Sequence, residues 1–119
     1  MSRAGLSVFV FAIYMLLVGA ILMVVPNFLL SLVALPPTDE VWIRVVGTLT
    51  AVLGTYYLLA ARAELRQFFH WSVFVRASVI VFFTAFVLFG FVPWPLILFG
   101  VVDLAAALWT AWALRSTKA

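Results

Sequence analysis

Four stretches of about twenty apolar residues, each holding at most one formally charged side chain, constrain this chain more than anything else in it. Crossing about 30 Å of hydrocarbon takes about 20 helical residues at 1.5 Å each. The first stretch runs from about Leu6 to Val25. Pro26-Asn27 either ends it or lets it continue towards Ala34, before Pro36-Pro37 forces a break. The second runs from about Val41 to Ala61, with Thr38 or Asp39 placed to cap it and Asp39-Glu40 suited to the positive end of its dipole. The third runs from about His70 to Phe91 and ends at the turn Pro93-Trp94-Pro95. The fourth runs from about Leu96 to Leu114, with Pro95 at its start.

Composition agrees. Hydrophobic residues make up 68% and charged residues 9%, against about 25% charged in a soluble domain. So few charges cannot coat a water-soluble globule of this size. The expected fold is all-α: an integral membrane bundle of four antiparallel transmembrane helices. Residues 1–119 would form one transmembrane domain, with helices at about 6–25, 41–61, 70–91 and 96–114. A signal peptide is the main rival for the first helix. The run is long for one and no clear cleavage site follows, so an uncleaved helix is expected.

The connections sort by charge. Arg3, Arg62, Arg66, Arg115 and Lys118 fall on one side; Asp39 and Glu40 fall on the other. The positive-inside rule then expects a bacterial inner membrane protein with both termini and the 62–70 connection in the cytoplasm. Trp42, Trp71, Trp94 and Trp112 lie near helix ends, as interfacial aromatics do.

Arg44, Arg76 and Asp103 fall inside the apolar stretches. A charge in the bilayer needs a partner or a route to water. Helical spacing puts Arg44, Gly47, Thr48, Ala51, Gly54 and Thr55 on one face of the second helix, and Gly100, Asp103, Ala106, Ala107 and Thr110 on one face of the fourth. Small-residue faces let helices approach closely in lipid. These two faces carry opposite charges at depths that differ by roughly 5 Å. The pattern predicts that the second and fourth helices touch through Gly47, Ala51, Gly54, Gly100 and Ala107, with an Arg44–Asp103 clasp. For Arg76 two placements are open. One is snorkelling to the headgroups, with Glu64 as partner. The other is an inward position reaching Asp103 over roughly 10 Å, giving an Arg–Asp–Arg cluster that attracts an anion.

No cysteine is present, which excludes disulfides, thiolate nucleophiles and cysteine-ligated metals. His70, the single histidine, sits at a helix end and supplies no usual metal set. Tyr14, Tyr56 and Tyr57 read as packing or hydrogen-bonding residues, and 62–66 as a solvated turn. No phosphate loop, hydrolase triad or haem-type histidine pair occurs. The expectation is a non-enzyme with no cofactor, no metal and no nucleic-acid partner.

The segments Leu35-Pro36-Pro37-Thr38, Val41-Trp42-Ile43-Arg44-Val45-Val46-Gly47, Gly54-Thr55-Tyr56-Tyr57, Ala60-Ala61-Arg62 and Gly100-Val101-Val102-Asp103 resemble small uncharacterised four-span membrane proteins of bacteria. The likeness covers nearly the whole chain and implies no activity. An arginine and a glycine opening the second span are also similar to the membrane scaffold proteins of the ergosterol pathway. Two functions follow as expectations. The first is a non-enzymatic interaction protein, a homo-oligomer or accessory subunit whose partners are membrane lipids and another membrane protein or itself. The second is a small transporter or binding protein for a lipophilic or anionic molecule at Arg44, Arg76 and Asp103. A buried, unpaired Asp103 lining a wet cavity would favour the second; a dry clasp and an exposed small-residue face would favour the first.

The charge distribution generates a topology test. Reporters fused after Ala119 or inserted in the 62–70 connection should be active only in the cytoplasm. A periplasmic signal from either position would reverse the orientation.

Overall fold

The computed structural model describes residues 1–116; Lys118, counted above among the basic residues, lies outside them. Its elements are α1 (Arg3–Val24), α2 (Pro26–Leu32), α3 (Val41–Arg62), α4 (Arg66–Leu88) and α5 (Leu96–Ser116). The described residues are all-helical, and α1, α3, α4 and α5 are each long and apolar enough to cross a membrane. They form an antiparallel bundle of four spans. The termini and the 63–65 turn share one end, here the terminal end; residues 25–40 and 89–95 make the far end.

The helix boundaries have local causes. Ser2 caps α1 by accepting from the Gly5 N–H at 2.9 Å. Pro26 lacks an amide hydrogen, so α1 stops at Val24 and the chain restarts as the short α2 with Pro26 in its first turn. The break thus resolves into two helices. α2, α3 and α4 each end in a paired-turn motif with one residue in the left-handed region: Ala34, Glu64 and Gly90. In each, the next amide reaches back to the last full turn, as Phe91 N–H does to the Phe86 carbonyl at 3.0 Å. Only Gly90 announces this in sequence. α4 begins at Arg66, one turn before the expected His70, with Leu65 before it and no side-chain cap.

Packing pairs the helices as α1 with α3 and α4 with α5, and α1 bridges the two pairs. The expected contact between the second and fourth spans is corrected here: α3 and α5 share no packed interface. The α3 face of Gly47, Ala51 and Gly54 is covered by α1 instead. A Cβ at Gly47 would stand 2.7 Å from the Gly19 carbonyl oxygen and 2.8 Å from the Met23 nitrogen. A Cβ at Gly54 would stand 3.0 Å from Met15 Cβ. Gly100 faces α4, where a Cβ would lie 2.9 Å from Ile80 Cα. Ala107 is fully buried. The small residues were read correctly as close-approach sites, but α1 also carries one at Gly19, and adjacency in sequence brings α1 to α3 first.

The buried core lies at the terminal end. Ala4, Val8, Phe11, Ala12, Tyr57, Ala61, Phe69, Ala113 and Leu114 form one cluster. Tyr57 and Phe68 meet edge-on at 5.0 Å and join α3 to α4 beside their turn. Beyond that ring contact α3 and α4 share no extended interface. Trp42, Trp71, Trp94 and Trp112 all point outward at helix ends.

Helix propensity alone favours alanine over glycine by about 1 kcal/mol. Gly47→Ala should nevertheless lower thermal stability in mild detergent, because overpacking against backbone costs about 1–3 kcal/mol. A raised melting temperature would show that α1 and α3 are not in this contact.

Candidate functional site

Two features mark the bundle interior, one at each depth. The first is Arg76 on α4, only 2% exposed. Its Nε donates to the Ser72 carbonyl at 3.2 Å. Its Nη2 donates to Ser72 Oγ at 3.0 Å and to Thr110 Oγ1 at 2.9 Å. Proton accounting orders the rest. Ser7 Oγ donates to the Ala4 carbonyl at 2.7 Å, so its 2.7 Å bond with Thr110 must be donated by Thr110. Hydrogens therefore run one way, from Arg76 to Thr110 to Ser7 to Ala4. Such chains polarise and strengthen one another. The guanidinium carbon also lies 4.9 Å from the Phe11 ring centre and 5.8 Å from that of Tyr57, close enough for cation–π attraction. Nη1 is buried without a partner. Arg76 thus draws on α1, α3 and α5 from its place on α4.

The second feature is a cavity of about 510 Å³ in the far half. It lies between the α1–α3 and α4–α5 pairs, and all four spans contribute to its lining. Its walls are apolar side chains such as Met15, Val18, Val46, Phe82 and Phe99, with Tyr14, Thr50 and Asp103 as polar exceptions. Asp103 is the one charged residue in that lining. Among the described residues its carboxylate accepts no hydrogen bond and makes no salt bridge, and Arg76 acts on it only at longer range.

The expected cluster of Arg44, Arg76 and Asp103 does not assemble. Arg44 turns to the broken end of α1, where Nη1 donates to the carbonyls of Met23 and Val24. Pro26 and the helix break leave those carbonyls without their usual donors, and a cation suits a helix C-terminus. The Arg44–Asp103 clasp is therefore corrected to an Arg44 cap on α1. Arg76 neither snorkels nor pairs with Glu64, which instead accepts from the Ser2 amide at 3.1 Å. Nor does it reach Asp103: it meets α5 at Thr110, two helical turns or about 10 Å away. Of the predicted packing residues, Gly47, Ala51 and Gly54 gather on α1, while Gly100 lies on α4.

Sequence reasoning missed Ser7, Ser72 and Phe11 as partners of Arg76. A signal existed: Ser72 lies one turn before Arg76 on the same face, and Ser7 falls at matching depth from the terminal end. Among the described residues no three His, Asp or Glu side chains gather to hold a metal. Compared with known families, characterised proteins and solved structures, the chain has no match.

Because Arg44 and Asp103 serve separate places, their effects should be independent. Arg44→Gln should cost about 1–2 kcal/mol through the lost charged cap. Asp103→Asn should leave stability unchanged or raised, since it removes an unpaired charge from an apolar wall. The double variant should equal the sum of the singles within about 0.5 kcal/mol. Recovery of stability in the double variant, measured by unfolding in detergent, would restore the clasp.

Proposed function

We propose that this chain is a membrane-embedded binding protein for lipophilic molecules, which enter sideways from the bilayer between α3 and α4. The observation that carries this is the 510 Å³ apolar cavity with one unpartnered carboxylate on its wall. Small-molecule sites are typically clefts of about 300–1,000 Å³, mostly apolar, with a few polar groups that orient the ligand. An unpaired ionisable residue inside a span is costly and marks a functional site by default. The cavity needs no pore or gate to fill, because its occupant already dissolves in the surrounding lipid.

The rival function, an accessory or self-associating protein, drew on a dry clasp and an exposed small-residue face. Arg44 caps α1, and the α3 face is occupied by α1. The site also changes character relative to the sequence-based expectation. A lipophilic or an anionic ligand was expected, the anion drawn by an Arg–Asp–Arg cluster if Arg76 faced inward. Arg44 is held at the end of α1 and Arg76 bonds Ser72 and Thr110 outside the lining, so no cation stands on the cavity wall. The proposal places the protein in the bacterial inner membrane with its terminal end towards the cytoplasm, on the strength of the basic residues at that end. The cavity then opens in the outer half of the bilayer.

Filling the cavity tests the proposal. In phosphatidylcholine nanodiscs, the neutral probe N-phenyl-1-naphthylamine should bind above the level of empty discs. Val18→Trp combined with Val46→Trp should weaken that binding by about tenfold or more, the cost of losing 1.4 kcal/mol. Thermal unfolding would confirm that the variant remains folded. A folded double variant that binds like the parent would remove the cavity as the site.

A further inference from the structure

We propose that the natural occupant of this cavity is a lipophilic cation, a molecule with one positive charge on a bulky apolar or aromatic body. The inference rests on the binding function proposed above and adds the sign of the ligand's charge.

Charge complementarity argues for it. Asp103 is the single charged side chain on the cavity wall. Neither arginine of the neighbouring spans bonds to it; Arg76 attracts it from outside the cavity lining. The Arg44 guanidinium is held by carbonyls of α1 at the far end. Arg76 is 2% exposed, its guanidinium is bonded to Ser72 and Thr110, and it is absent from the lining. An isolated carboxylate in an apolar setting loses hydration without recompense. A cation arriving from the lipid supplies the missing partner in a place where Coulomb attraction is little screened. An anion of equal size would meet only repulsion from Asp103.

The walls add a second, independent preference. Tyr14, Phe82, Phe83 and Phe99 line the same cavity. Aromatic faces attract cations within about 6 Å, most strongly when water is excluded. They also accept flat or branched apolar bodies by stacking and edge contacts. The volume of about 510 Å³ admits a body of several rings. A strongly hydrated small cation gains nothing from such walls, so a metal ion is a poor occupant.

Tetraphenylphosphonium and tetraphenylborate share shape and apolar surface and differ in charge sign, which makes them a matched pair of probes. Equilibrium dialysis against the protein in phosphatidylcholine nanodiscs, corrected with empty discs, should show tetraphenylphosphonium binding about tenfold or more tighter than tetraphenylborate. Asp103→Asn should abolish that preference and Asp103→Glu should retain it. Thermal unfolding in the same discs should show Asp103→Asn as folded as the parent, and N-phenyl-1-naphthylamine should bind the parent. If the neutral probe binds but the two ions bind equally, or the borate binds tighter, the cation inference is overturned while the cavity survives. If the neutral probe also fails to bind the parent, the binding function itself falls. Retention of the phosphonium preference in folded Asp103→Asn would likewise overturn the role of Asp103.

Discussion

A guanidinium sealed from solvent ties the terminal end of this bundle together. In lipid, apolar side chains gain nothing by leaving one apolar phase for another, so helix association relies on close packing and hydrogen bonds. Arg76 supplies the hydrogen bonds at the one level where all four spans converge. It reaches Thr110 on α5 directly, Ser7 on α1 through Thr110, and the rings of Phe11 and Tyr57 on α1 and α3. The buried core gathers around the same level. Beyond it, no comparable link joins α3 to α4 or α5, and the two helix pairs are free to diverge.

Close packing governs within each pair. Gly19 and Gly47 bring the backbones of α1 and α3 so near that a methyl group does not fit. Gly100 does the same for α5 against Ile80 of α4. The cavity is the consequence of these choices. Glycines pull α3 onto α1 and α5 onto α4, Arg76 joins the pairs at one end, and the far half is left as a cleft with Asp103 on its wall. Arg44 secures the rim by capping α1 where Pro26 interrupts it.

Much of the fold was legible because the bilayer imposes a simple length rule on apolar runs. The four spans, their antiparallel order and the close-approach role of Gly47, Gly54 and Gly100 could all be read from spacing. Helix partners could not. A small-residue stripe says that something approaches closely, and leaves open what does; one glycine, Gly19, in the far half of α1 was too slight a mark to show that α1 competes for the α3 face. Depth matching likewise misjudged Arg44. Opposite charges at similar depth suggested a clasp, while the nearer demand came from backbone carbonyls freed by a proline eighteen residues earlier in the chain. Asp103 was recognised as out of place in lipid, but its isolation emerged only once both arginines were located.

The separation of α3 from α5 in the far half is the central structural claim, and disulfide trapping tests it directly in a chain with no native cysteine. A disulfide needs Cα atoms within about 7 Å. Val46→Cys with Phe99→Cys places thiols on α3 and α5 across the cavity. Met15→Cys with Gly54→Cys places them on the packed face of α1 and α3, where the Cβ positions nearly touch. Under mild oxidation in nanodiscs, the split architecture predicts that the 15–54 pair closes and the 46–99 pair stays reduced, read by intact mass after alkylation. Rapid intramolecular closure of the 46–99 pair would contradict it, since α3 and α5 would then be packed together and the cavity filled by the bundle itself.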